Sequence, residues 1–399
     1  MEEPPTRRSR SRPLSINSSR VLWACVLLGV GIALHATKAG RSWSTECYSS
    51  NTCDGLTFAV VGELLNSGRS PYSTDARIEH TIRSRLRQTP PFDLPFQYPP
   101  NSLPLFGLRS LVRPELAAYL WSGLTTLGFT IALTALFLRR RTTSRDHPVS
   151  ALLLLALCAN GLVAFNGLLT QTGAFVGALV AVFYLYESSR PSVAGLSLGV
   201  LAIKPHYAFP ILLVALARGQ GRVVVGALVG FAATSLASLL FYGGGHWLAF
   251  LSTLATPNPT TPFMINWMGV LWRLHPETQV STLTAIGLWL ASLSGLTLLL
   301  NAGRRTPSAE GQVTAVLSCS LLLGPNAHPY DMLVLAPGLL QAATPRHSVL
   351  IASIVLCGTW LGLPPGMRWM LSVGALFSGV YALRFAGSTL RSDEARSAV

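Results

Sequence analysis

Lysine is almost missing from this 399-residue chain: of thirty basic residues only Lys38 and Lys204 are lysine. That bias fits the codon usage of a GC-rich genome, and it leaves Lys204 conspicuous. Charge of either sign is scarce. Only 12% of residues are charged while half are hydrophobic, and the mean hydropathy is +0.45, which excludes a soluble globule and reads as a polytopic membrane protein. Cysteine is sparse too. Of the six, Cys25, Cys158, Cys319 and Cys357 fall inside apolar segments as small hydrophobes, and no zinc or iron–sulfur spacing appears. Internal repeats are also lacking, and the two halves differ too much for the inverted repeats of a transporter.

The formal charge of +14 would suggest nucleic acid in a soluble protein. Here the arginines cluster in short stretches between apolar segments, so the expected partner is anionic lipid, with no role for nucleic acid. Residues 1–20 carry five arginines among Pro and Ser and read as a disordered cytoplasmic tail. The apolar stretch 21–36 reads as an uncleaved first span. Further apolar segments at 115–138, 149–165, 173–186, 193–203, 207–217, 223–242, 283–300, 313–323, 332–340, 349–361 and 369–383 bring the expectation to about twelve crossings, several shorter than a straight span needs. Residues 21–386 are expected to form one transmembrane domain, followed by a cytoplasmic tail at 387–399.

With the N-terminus inside, the inside connectors hold Arg139, Arg140, Arg141, Arg190, Arg218, Arg222, Arg304, Arg305 and Arg346. The outside connectors are poor in basic residues, as the positive-inside rule requires. Every polar cluster of interest then falls on the non-cytoplasmic side.

The one long polar interval is 35–114, expected as the first extracytoplasmic loop. Within it, 54–66 reads as a helix with Leu56, Val60, Leu64 and Val61, Leu65 at helical spacing and Gly68 as its stop. A second helix at 75–87 has Ile78, Ile82 and Leu86 on one stripe and arginines elsewhere, the pattern of a helix lying on a membrane surface. Cys47 and Cys53 lie close together in this loop. Outside the cytoplasm they are expected to form a disulfide, two free thiols being the alternative.

Candidate site residues each have a structural and a chemical reading. Asp54 opens a helix, where a carboxylate caps and stabilises by about 1 kcal/mol; it is also placed to act as a general base just outside the membrane. Local sequence favours the cap, and the roles can coexist. Phe96-Gln97-Tyr98-Pro99-Pro100 is either a rigid loop with aromatic anchors or one wall of a cleft. Lys204-Pro205-His206 sits between two short apolar segments. An isolated lysine there would snorkel, but an ionisable pair at membrane depth marks a site where a cation can hold a phosphate. Asn166 and Gln171 bracket one turn, and Asn326, His328 and Asp331 cluster at another. Two potential ligands, His328 and Asp331, make a weak metal site, so no metal is assigned.

Taken in order, Asp54, the turn Ser70-Pro71-Tyr72, Tyr98-Pro99-Pro100, Gln171, Lys204-Pro205 and the run from Pro325 to Asp331 resemble glycosyltransferase family 87. The resemblance implies a bacterial inner-membrane enzyme of the GT-C class, an all-α bundle with a long first extracytoplasmic loop carrying short amphipathic helices. It implies inverting transfer of a sugar, typically mannose, from a polyprenyl-phosphate donor to a glycolipid or glycan of the cell envelope, with no cofactor. Asp54 would be the base, and Lys204, His206, Gln171, Tyr98, His328 and Asp331 would bind the donor phosphate and substrate. Two departures stand out. Thr170-Gln171 replaces the usual Gly-Gln, and His328-Pro329-Tyr330 precedes the late Asp. The competing reading is a transporter or flippase of lipid-linked substrate, which should carry charged groups and broken helices near the midplane of both halves.

Overall fold

The computed structural model describes residues 54–73, 96–139, 147–159, 161–255, 261, 264–277, 280–302 and 309–342. The expected tails, the first span, the helix at 75–87, the last two spans and the cysteines Cys47 and Cys53 lie outside these residues. Within them the secondary structure is helical, with no strand.

The helix at Asp54–Asn66 (α1) has the bounds its periodicity implies, and Val60, Val61, Leu64 and Leu65 are buried. It stops as the glycine predicts. Gly68 adopts φ +71°, its N–H bonds the Leu65 carbonyl, and Arg69 N–H reaches back to the Leu64 carbonyl, the two bonds of a Schellman cap. A short 3₁₀ turn, Pro100–Ser102, and α2, Leu103–Arg109, follow the Tyr-Pro-Pro run. Phe58, Leu65, Tyr72, Phe96, Leu103 and Phe106 give these elements a hydrophobic cluster of their own.

The main bundle comprises α3 (Pro114–Arg139), α4 (His147–Cys158), α5 (Gly161–Leu168), α6 (Gly173–Tyr186), α7 (Pro191–Leu201), α8 (Pro205–Ala217), α9 (Gly221–Tyr242), α10 (Gly245–Thr253), α11 (Trp267–Leu274), α12 (Thr282–Ala302), α13 (Ala309–Leu323), a second 3₁₀ segment (Pro329–Leu335) and α14 (Ala336–Ala342). Among the described residues three helices, α3, α9 and α12, are long and apolar enough to cross a membrane. The helices around Lys204 are much shorter. At 1.5 Å per residue α7 is only about 16 Å long, against roughly 30 Å of hydrocarbon.

Close packing fixes where α7 ends. Gly195 and Gly199 face Gly226 and Gly230 of α9, and a Cβ on Gly195 would meet the Val223 carbonyl while one on Gly199 would meet that of Ala227. This paired small-residue contact sets the two helices side by side and parallel. α8, which joins them in sequence, runs back in the opposite direction. Because Gly199 lies opposite Gly230, α9 continues about ten residues beyond the level at which α7 stops, on the order of 15 Å. The turn holding Lys204 is therefore sunk below the end of α9. The 3₁₀ turn at 100–102 and α2 pack against α9, with Gly107 against the Tyr242 hydroxyl.

Two exposed arginines mark one end of the bundle. Arg139, at the close of α3, donates to Ser188 beyond α6, and Arg218, at the close of α8, donates to Gln312 near the start of α13. At the other ends of these helices lie Gln171, Lys204 and the 324–331 connector.

The expected span 149–165 holds α4, ending at Cys158, and α5, starting at Gly161, with Asn160 outside the described residues. The segment 332–340 opens instead as a 3₁₀ segment, followed by α14, which is described as far as Ala342. Pro337 explains the change: it lacks an N–H for the Leu333 carbonyl, which instead accepts from Ala336 in 3₁₀ fashion. The connector 243–280, expected as loop, contains the short helices α10 and α11.

Candidate functional site

Lys204 ends the α7–α8 turn as the residue before Pro205, which opens α8. Its side chain is buried, and its Nζ lies 2.6 Å from Asp331 Oδ1. The other carboxylate oxygen, Oδ2, accepts the His328 N–H at 3.0 Å, so Asp331 both caps its 3₁₀ segment and pairs with the lysine. The ammonium also lies over two aromatic rings, 5.2 Å from the centroid of Tyr330 and 5.8 Å from that of Tyr98. His328 stacks on Tyr330 at 5.4 Å.

Tyr98 joins this pair to the loop elements. Its carbonyl accepts the Tyr72 hydroxyl at 2.7 Å, so the Ser-Pro-Tyr turn and the Tyr-Pro-Pro run are one hydrogen-bonded unit. Burial raises the Tyr72 phenol well above its ordinary pKa and keeps it a donor. The Tyr98 hydroxyl lies 2.9 Å from that of Thr172 and 3.5 Å from Gln171 Oε1. Gln171 is itself held by its carbonyl, which accepts Trp121 Nε1–H at 3.0 Å, and by its N–H, which donates to the Asn166 carbonyl. The preceding residue, Thr170, has φ +51°, a left-handed conformation that a β-branched residue rarely adopts. Glycine would take it without strain.

A cavity of about 170 Å³ opens against this constellation. Gln97, Tyr98, Lys204, His206 and Asn326 supply its polar side, and Phe250, Leu254 and Ile286 an apolar one. His206 is 6% exposed, and its Nε2 has no hydrogen-bond partner among the described residues. Of the residues anticipated from sequence, Lys204, His206 and Tyr98 line the cavity. Gln171 stands behind Tyr98, and Asp331 and His328 behind Lys204. α1 begins at Asp54 as expected, but the Asp54 side chain lies outside the described set.

Sequence reasoning passed over Asn266, whose Nδ2 donates to the Gly324 carbonyl at 2.6 Å while its Oδ1 caps α11. It thereby anchors the 324–331 connector. An asparagine just before the apolar run of α11 was the available signal. Phe250 and Leu254, on and just beyond α10, were passed over with their helix. Among the described residues no three His, Cys, Asp or Glu side chains converge as a metal site would require.

Comparison with known proteins places the chain by a family match. The model of glycosyltransferase family 87 matches residues 96–329, more than half of the chain, from Phe96 at the edge of the loop cluster to Pro329 beside the Lys204–Asp331 pair. No curated protein and no solved structure matches. With the cavity, Tyr98, Gln171, Lys204 and His328 all inside the matched region, the chain belongs to glycosyltransferase family 87.

Proposed function

We propose that the protein transfers a sugar, in the first instance mannose, from a polyprenyl-phosphate donor to a glycolipid or glycan of the bacterial cell envelope, at the extracytoplasmic face of the inner membrane. The observation that carries this reading is the two-sided cavity at Lys204. Its polar side suits a sugar phosphate and its apolar side an attached lipid. The site is sunk beside α9, whose Leu236, Leu239, Leu240 and Phe241 are exposed, so a lipid substrate would reach it from the bilayer. At about 170 Å³ the cavity suits one sugar head rather than a drug-sized ligand, for which ~300 Å³ is the lower end.

The reaction proposed is a displacement at the anomeric carbon with inversion. Asp54 takes the proton of the acceptor hydroxyl, that oxygen attacks, and the bond to the phosphate oxygen breaks, releasing polyprenyl phosphate. Phosphate leaves readily, so electrostatic stabilisation of the departing charge should outweigh general-acid help. In this reading Lys204 and His206 face the phosphate, Tyr98 and Gln171 set the wall against the sugar, and Asp331 and His328 hold Lys204 in place.

The test is purified protein in nanodiscs supplied with a panel of polyprenyl-phosphate sugars and envelope glycolipids. Acceptor-dependent release of polyprenyl phosphate from the mannose donor is expected. Release from another sugar alone would change the donor assignment, and release from none would refute the reading.

A further inference from the structure

The cavity's lysine is already neutralised by Asp331, yet the molecule holds a second buried cation that is not. Arg109, the last residue of α2, is 9% exposed. Its guanidinium carbon lies 5.0 Å from the Phe58 ring centroid and 5.2 Å from that of Trp121. Nε and Nη1 are buried with no hydrogen-bond partner, and no carboxylate pairs with the group among the described residues. Burial pulls its pKa down to about 10, with Tyr98 acting in the other direction, so it stays a cation at neutral pH.

Physical chemistry makes this arrangement incomplete. An uncompensated buried ion is strongly destabilised, and cation–π contact with two rings returns only part of that cost. Each unmade buried donor adds to it. A bound oxyanion would supply both missing terms, and a guanidinium is the side chain best shaped for phosphate oxygens.

The location ties it to the cavity. Trp121, on one side of Arg109, donates to the Gln171 carbonyl, and Gln171 Oε1 receives the Tyr98 hydroxyl. Phe58, on the other side, packs edge-on to the Tyr98 ring at 5.6 Å, the ring that Lys204 also approaches. Both cations therefore neighbour one tyrosine.

We propose that Arg109 is the cation of an anion subsite next to the cavity, taking a phosphate-class oxyanion such as the phosphate of a lipid-linked donor or of the released lipid. The proposal rests on the donor reading above and names the residue that meets the phosphate charge. Lys204, paired with Asp331 at 2.6 Å, faces the same phosphate but brings little net charge to it.

The test measures binding of a short-chain polyprenyl monophosphate, the matching uncharged polyprenol and inorganic phosphate to nanodisc-embedded wild type, Arg109→Gln and Arg109→Lys, with thermal unfolding of each variant recorded without ligand. Losing a charge-assisted contact should weaken lipid-phosphate binding about tenfold or more in Arg109→Gln. Arg109→Lys should lose roughly two- to fivefold, since it keeps the charge without the planar fork. The polyprenol should not discriminate among the three. If the glutamine variant does not fold, the lysine variant decides alone. Equal lipid-phosphate affinity in wild type and variants overturns the subsite while leaving the donor reading intact. Binding of inorganic phosphate that depends on Arg109, with no binding of the lipid phosphate, supports the subsite and sinks the donor reading. Failure of wild type to bind either phosphate overturns both.

Discussion

The two ends of the helix bundle use cations in opposite ways. At one end Arg139 and Arg218 are exposed, and each reaches a neutral partner, Ser188 or Gln312, over 3.4 or 3.3 Å. At the other, Lys204 is buried, 2.6 Å from Asp331, and lies over two aromatic rings. Solvated arginines are free to meet lipid headgroups and contribute little to the fold. A buried pair fixes geometry. The contrast separates residues that orient a helical bundle from residues that build a site within it.

The comparison is broken most severely by removing one member of the pair. Lys204→Ala leaves the Asp331 carboxylate buried without its cation, and stability is expected to fall by about 3–5 kcal/mol. Thermal unfolding of the purified protein checks this, and replacing both residues, as in Lys204→Met with Asp331→Leu, should recover part of the loss. A single variant as stable as wild type would mean that the pair is not structural.

Much of the helical layout was legible in the sequence. Segments 173–186 and 223–242 match α6 and α9 within two residues, because helices this apolar leave no competing reading. The stop at Gly68 was legible for a local reason, since a positive φ there favours glycine. The short helices α10 and α11 were missed because Gly and Pro around them resemble a loop. Site residues were legible as types and not as partners. Lys204 stood out as a rare lysine and Asp331 as one of a cluster, yet 127 residues separate them, and only the folded bundle brings them into contact. Arg109 looked like one more loop arginine, since burial between Phe58 and Trp121 leaves no local signature.

A smaller effect sharpens the site end. Thr170 combines a positive φ with a buried hydroxyl that has no partner among the described residues. Thr170→Gly should raise stability by roughly 1 kcal/mol, the relief of strain and of the unmade hydrogen bond exceeding the entropy cost of glycine. Denaturant or thermal midpoints measure this, and a lowered midpoint would show that the threonine is favoured where it stands.

The smallest effect belongs to the arginine end. Arg218→Ala removes one exposed cation with a neutral partner, and stability should change by no more than about 0.5 kcal/mol, with sugar transfer intact. Loss of transfer in a folded Arg218→Ala protein would erase the distinction between the two ends.

The central claim is that sugar transfer occurs at the Lys204 end, with Asp54 as its base. The most direct measurement is release of polyprenyl phosphate by Asp54→Asn and wild type, at matched amounts in nanodiscs with acceptor present. Asparagine caps a helix about as well as aspartate, so the variant should fold normally. It cannot accept the acceptor's proton, and turnover should fall roughly 10²–10⁴-fold. Comparable turnover by the two proteins would reduce Asp54 to a helix cap and contradict the mechanism.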